Sequence, residues 1–226
     1  MEPTRENHDP ATHVEPGRDS RKRRTGRSAR QAEKSEAMRI QALETTIDCL
    51  VANPYSEVSI AAIARQGNLT RGGIQYHFAT RLSLLQATVQ HLHRRRLEQF
   101  RADLIACPEG VDIVDHVVDT HWRHLNERDF RAYQELVLAA RCEPELAATL
   151  AGHYQAFLGE WRRIAQEHFG WDHKAPEMAR AGNIAHYILD GMAYGQLGGQ
   201  LEPEEIGELL GYVKSVMRQA TSGSPH

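Results

Sequence analysis

No run of about 18 apolar residues occurs anywhere in the sequence, which excludes a membrane-spanning helix. Cysteine is scarce: Cys49, Cys107 and Cys142 lie far apart, without paired metal-ligand spacing, and are odd in number. With a polar, charged N-terminus that carries no signal-peptide pattern, this predicts reduced thiols in a cytoplasmic protein. Alternating apolar and polar residues of the strand type are also missing, so the fold is expected to be all-α. Recognisable catalytic motifs are absent: no G-x-S-x-G, no Walker-type loop, no HExxH and no dinucleotide fingerprint. These absences argue against an enzyme, a cofactor and a metal centre.

What is present is a strong asymmetry of charge. The 226 residues carry a net charge of −3. Between Arg21 and Arg101, Lys and Arg outnumber Asp and Glu by 15 to 6, and from Ala102 onward the balance reverses to 10 against 19. A basic front half and an acidic rear half suit a molecule that presents one face to a polyphosphate. Residues 1–34 have almost no apolar side chains and read as a disordered arm. Its six bases, Arg21, Lys22, Arg23, Arg24, Arg27 and Arg30, suit phosphate or minor-groove contact. A solubilising tail is the other reading.

Residues 59–81, SIAAIARQGNLTRGGIQYHFATR, organise the rest. Ser59 and Thr70 each stand where a helix N-cap belongs. Each cap is flanked by an outer apolar residue and one four positions inside: Val58 with Ile63, and Leu69 with Ile74. Gly67 and Asn68 lie between, where the chain needs a left-handed backbone. Two capped helices joined by a short glycine-containing turn are a helix-turn-helix. In the second helix Ile74 and Phe78 share the inward face. Arg71, Gly72, Gly73, Gln75 and Tyr76 project elsewhere, as suits a helix laid in a major groove. The two glycines either let the backbone approach DNA or relieve a clash with the first helix.

These residues resemble the DNA-binding domain of TetR-family transcriptional regulators. The match runs from about Met38 to Ala87. It rests on Ser59-Ile60-Ala61-Ala62-Ile63-Ala64, Gly67-Asn68-Leu69-Thr70-Arg71-Gly72, Ile74-Gln75-Tyr76-His77-Phe78 and Arg81-Leu82-Ser83-Leu84-Leu85. Ala61, Gln75 and Leu82 depart from the residues usual in the family. The resemblance implies base-edge or groove contacts from Arg71, Gly73 and Gln75. It implies phosphate contacts from Ser59, Thr70, Tyr76, His77 and Arg81.

The predicted organisation is a basic arm over residues 1–34, a three-helix helix-turn-helix domain over 35–80, a helical bundle for ligand binding and dimerisation over 81–220, and a loose tail over 221–226. A helix from Arg81 to about Ile105 connects the head to the bundle. Its Arg94-Arg95-Arg96 run is expected on a solvated face or in interdomain ion pairs, ahead of a DNA patch. His91 and His93, two apart, point away from each other on a helix. His116, His121 and His124, with Asp112, either converge on a cation or hydrogen-bond within the bundle; the second is commoner.

Trp122, Tyr133, Tyr154, Phe157 and Trp161 fall on inner-facing helical stripes. Most such residues are core, yet a pocket between bundle helices uses the same chemistry. The resemblance implies a cavity there for a small-molecule effector. Arg141 or His121 is available to pair with an anion. Ala185, Gly191, Ala193, Gly195 and Gly198 are mixed with Ile188, Leu189, Tyr194 and Leu197 near the end of the chain, and the family's habit implies a homodimer built there. The expected function is a repressor released from an inverted-repeat double-stranded DNA operator by an effector. The alternative is a helical small-molecule-binding protein or enzyme whose head mediates protein contacts.

Overall fold

Proline or a side-chain cap starts most of the helices in this chain. Ser59 Oγ accepts from the Ala62 amide at 3.1 Å, Thr70 Oγ1 from Gly73 at 3.0 Å, and Asp112 Oδ1 from Asp115 at 3.1 Å. Thr80 and Ser83 form a reciprocal capping box. Each cap stabilises its helix by about 1 kcal/mol. Pro144, Pro176 and Pro203 occupy first turns, where the missing amide proton costs nothing.

The computed structural model describes residues 18–222, with side chains from residue 30 onward. Among the described residues there are nine α-helices and no strand: α1 Arg18–Ala52, α2 Ile60–Gln66, α3 Arg71–His77, α4 Arg81–Ile105, α5 Ile113–Leu125, α6 Arg128–Ala139, α7 Pro144–Phe169, α8 Pro176–Leu197 and α9 Pro203–Ser222. A single 3-10 turn, Tyr55–Glu57, follows α1. The all-α expectation holds. No helix is long and apolar enough to cross a membrane among the described residues.

One expectation is corrected here. The disordered arm expected over residues 1–34 is helical from Arg18, where α1 begins. The stretch lacks an apolar stripe yet is rich in Arg, Lys, Gln, Glu and Ala, which are good helix formers without any packing partner. Residues 1–17 of that arm, and residues 223–226 of the tail, lie outside the described residues.

The chain divides into two units, residues 1–40 and residues 41–226. In the first, Arg39 donates to Glu36 at 3.2 Å across one helical turn. The second contains two buried clusters. One gathers Leu43, Ile47 and Leu50 of α1 with Ile63, Ile74, Phe78, Leu84 and Leu85, and also takes in Ala132 and Leu136 of α6 and Leu146 and Leu150 of α7. The helix-turn-helix therefore shares its core with the bundle. The other cluster lies within the bundle and includes Phe100, Val117, Ile164, Met178, Leu189 and Met217. The long helix α4 packs against α7 and contributes to both clusters.

The turn between α2 and α3 has the left-handed residue expected at Gly67-Asn68, and Asn68 supplies it. Asn68, at φ 50°, takes the left-handed conformation, while Gly67 has φ −85°. Asn tolerates that region better than other non-glycine residues. Gly67 serves closeness instead: a Cβ there would lie 2.6 Å from Thr45 Oγ1. Gln41 Nε2 donates to the Gly67 carbonyl at 3.0 Å and secures the same approach.

Candidate nucleic-acid interface and effector cavity

Helix α3 is held by one face and free on the other. Ile74 and Phe78 are 0% and 4% exposed, whereas Tyr76 is 81% exposed. Arg71, Gly72 and Gln75 are also exposed; Gly73 and His77 are half-buried. Tyr76 and His77 meet edge to face, with ring centroids 5.0 Å apart. Nothing lies within 4 Å of a Cβ placed on Gly72. The clash-relief reading therefore fails for Gly72, and its bareness leaves the start of α3 open to close approach. Ser59 and Thr70 cap α2 and α3, and Thr70 adjoins Arg71.

Arg81 departs from its expected place at a phosphate. Its Nε donates to the Val58 carbonyl at 2.6 Å, and its two terminal nitrogens donate to the Tyr55 carbonyl at 2.8 Å and the Tyr55 hydroxyl at 3.0 Å. It lies 3.5 Å from Glu143 and stacks 4.1 Å over the Tyr55 ring. Its guanidinium is committed to these partners. The length of Arg lets the side chain fold back from the first position of α4 onto the segment that precedes α2.

The bundle encloses a cavity of about 310 Å³ between α4, α5, α7, α8 and α9. Of the five aromatics expected there, Tyr154, Phe157 and Trp161 line it. Tyr133 lines a smaller neighbouring cavity of about 20 Å³ and meets the His93 ring at a tilt, with centroids 5.3 Å apart. Trp122 lines neither and packs against the bundle core. Both are correctly read as inner-facing; an inner-facing stripe is wider than the mouth of a cavity, so the sequence pattern includes neighbours that only support the wall.

The polar lining was less legible. His121 reaches the cavity, while Arg141 is exposed elsewhere. The Tyr154 hydroxyl and His186 Nε2 are 2.8 Å apart, and His186 Nδ1 is 3.7 Å from Asp190. Burial pushes the His121 and His186 imidazoles below their usual range and raises the Asp190 carboxyl. Burial also pushes His93, stacked on Phe157, down to about 4. These histidines are thus neutral near pH 7.

The arginine run divides three ways. Arg94 donates to His91 Nδ1 at 2.8 Å, and Arg95 pairs with Glu44 at 2.7 Å and Asp129 at 3.0 Å. Arg96 turns into the cavity, contrary to the solvated face expected for the run. Successive residues on a helix point about 100° apart, so a run of three cannot share one environment. The other histidines bond within the bundle: His116 Nε2 meets the Asp103 carbonyl at 2.8 Å, and His124 the Asp103 carboxylate at 3.1 Å.

A capped helix-turn-helix with an outward-facing second helix is joined by α4 to a helical bundle that holds a cavity. The fold is that of TetR-family transcriptional regulators. A transcriptional regulator from Rhodococcus sp. Rha1 superposes with a TM-score of 0.62 at 17% identity, over 83% of this chain and 99% of that one. GusR of Salmonella enterica superposes with a TM-score of 0.59 at 18% identity, over 80% of this chain and 96% of that one. In sequence, the chain is similar to the HTH-type transcriptional regulator CymR of Pseudomonas putida, 28% identical over 127 residues. That match covers 56% of this chain and spans 60% of the length of CymR. No family model matches the chain.

Proposed function

We propose that this protein is a sequence-specific DNA-binding transcriptional regulator, a cytoplasmic repressor that acts by binding rather than catalysis. A homodimer recognises an inverted-repeat operator, and a small-molecule effector in the bundle cavity releases it. The observation that carries this reading is the outer face of α3, where Arg71, Gly72, Gln75 and the 81%-exposed Tyr76 stand free while Ile74 is wholly buried. Such a face is poised to meet base edges and phosphates. Gly73, Thr70 and His77 adjoin it along α3, Ser59 at the start of α2 adds a further phosphate contact, and Arg81 holds the segment before α2 through Tyr55 and Val58.

One head reads only a few base pairs, so a two-fold dimer supplies the second half-site. The dimer face fits α8 and α9, where Tyr187, Leu197 and Tyr212 are 72%, 55% and 55% exposed. Gly191 beside them leaves its surroundings open. Gly195 is different, since it is already packed against Leu201. Effector release requires that the ligand bind the DNA-competent and released arrangements unequally. Helix α4 is the natural carrier, with its first residue braced against the head and Arg96 in the cavity wall.

Selection from a pool of random DNA duplexes tests the reading. Enrichment of an inverted repeat with half-sites spaced by a whole helical turn or its multiples is expected. Recovery of no enriched duplex would favour a ligand-binding protein whose head contacts other proteins.

A further inference from the structure

Among the described residues, Arg96 has no carboxylate within ion-pair distance, although Arg94 and Arg95 beside it are both paired. Arg96 is half-buried, and it lines both cavities. Its guanidinium lies 5.0 Å from the Phe157 ring centroid and 5.5 Å from that of Phe130. Aromatic faces are favourable but do not neutralise a buried cation. Arg162 lines the same cavity and likewise has no ion pair among the described residues. Glu127 and Asp129 share the smaller cavity with Arg96, and Asp129 pairs with Arg95; toward the larger cavity the carboxylate that acts on Arg96 is Asp190, which is directed to His186 and whose Oδ1 makes no hydrogen bond. Two arginines against a single aspartate leave the cavity with an excess of about one positive charge, since its histidines are neutral.

Val117, Val118, Phe157, Trp161, Leu189 and Met217 give the cavity apolar walls, with Tyr154, Gln155, Asn183 and the histidines as uncharged polar groups among them. A volume of about 310 Å³ lies at the low end of the roughly 300–1,000 Å³ typical of small-molecule sites. That space suits a compact ring or a short branched chain, not a long acyl tail. The planar fork of Arg matches a carboxylate with two parallel hydrogen bonds.

Accepting the effector cavity proposed above, we infer that the effector is a small monocarboxylate on a compact apolar or aromatic body, its carboxylate paired with Arg96. The ligand supplies the counter-charge that the fold omits. Trp161 and Trp171 in the cavity wall report its arrival by fluorescence.

The test compares acids with their neutral, nearly isosteric amides on the full chain: benzoate with benzamide, and 3-phenylpropanoate with 3-phenylpropanamide. Tryptophan quenching and calorimetry are expected to show at least one acid bound about tenfold or more tightly than its amide. Arg96→Gln should abolish that preference, and Arg96→Lys should retain part of it; circular dichroism verifies that each variant is folded. Asp190→Asn should leave acid binding as strong or stronger, because it removes a competing anion. Equal binding of acid and amide, no binding of either acid, or an undiminished preference in Arg96→Gln would overturn the inference. Weakened acid binding in Asp190→Asn would overturn it too. Duplex selection without any acid is independent. DNA binding with no acid preference sinks only the anion, and acid preference with no DNA binding sinks only the regulator.

Discussion

The Tyr55 hydroxyl donates to Glu143 Oε2 at 2.6 Å, tying the turn after α1 to the residue that precedes α7. Burial and the Glu143 carboxylate together push the Tyr55 phenol up to about 12, so it remains a donor across the physiological range. Arg81 stacks on the ring of Tyr55 and bonds the same hydroxyl. A helix that lines the larger cavity is thereby joined to the segment that precedes the helix-turn-helix.

Breaking this clasp should cost stability in graded steps. Tyr55→Phe removes two hydrogen bonds and is expected to lower unfolding stability by about 1–2 kcal/mol. Arg81→Ala should cost more, because the carbonyls of Tyr55 and Val58 lose their donor as well. Urea unfolding of the two variants checks the order; equal and negligible losses would show that the clasp is ornamental.

Glu44 gathers a second cluster. Its carboxylate meets His91 Nε2 at 2.6 Å, Arg95 at 2.7 Å and Arg128 at 3.0 Å, joining α1 to α4 and α6. Burial alone would raise its pKa, but the hydrogen bonds from His91, Arg95 and Arg128 outweigh burial and bring it down to about 2. A pKa lowered in the folded state means stability that is fully present above the ordinary carboxylate value of 4.5 and lost as pH falls toward 2. Glu44→Gln should therefore be less stable than the parent at pH 7, and the gap should close on acidification across that window. Urea midpoints at a series of pH values measure it. A gap of constant size would mean that the carboxylate's charge contributes nothing.

Two glycines in the head should behave oppositely when changed to alanine. Gly67→Ala forces a methyl against Thr45 and is expected to cost about 1–3 kcal/mol. Gly72→Ala meets nothing and should stabilise α3 by up to about 1 kcal/mol. The same Gly72 change should weaken DNA binding, because the new methyl occupies the approach to the duplex. Thermal melts and gel shifts separate the effects. A Gly72→Ala protein with full DNA affinity would remove the functional meaning of that bareness.

The head was legible in the sequence because its signals are local. Ser59 and Thr70 form the caps that their spacing announces, and Ile63, Ile74 and Phe78 face inward as their periodicity requires. Arg81 was not legible: a first-turn arginine in a basic head looks the same whether it reaches outward or folds back on Tyr55. The cavity was half legible. Aromatic periodicity found Tyr154, Phe157 and Trp161, but three adjacent arginines give no hint which one turns inward, since that depends on the packing of α4 against α7. Likewise, α1 extends back to Arg18 through residues whose helix preference needs no partner and so leaves no periodic trace.

The outward face of α3 bears the central claim, and one measurement addresses it most directly. Arg71→Ala and Tyr76→Ala are compared with the parent for affinity to the selected duplex at fixed salt, with chromatography and circular dichroism verifying assembly and fold. Each variant should bind about tenfold or more weakly while remaining folded and dimeric. Undiminished affinity in both would contradict the assignment of α3 as the element that reads DNA.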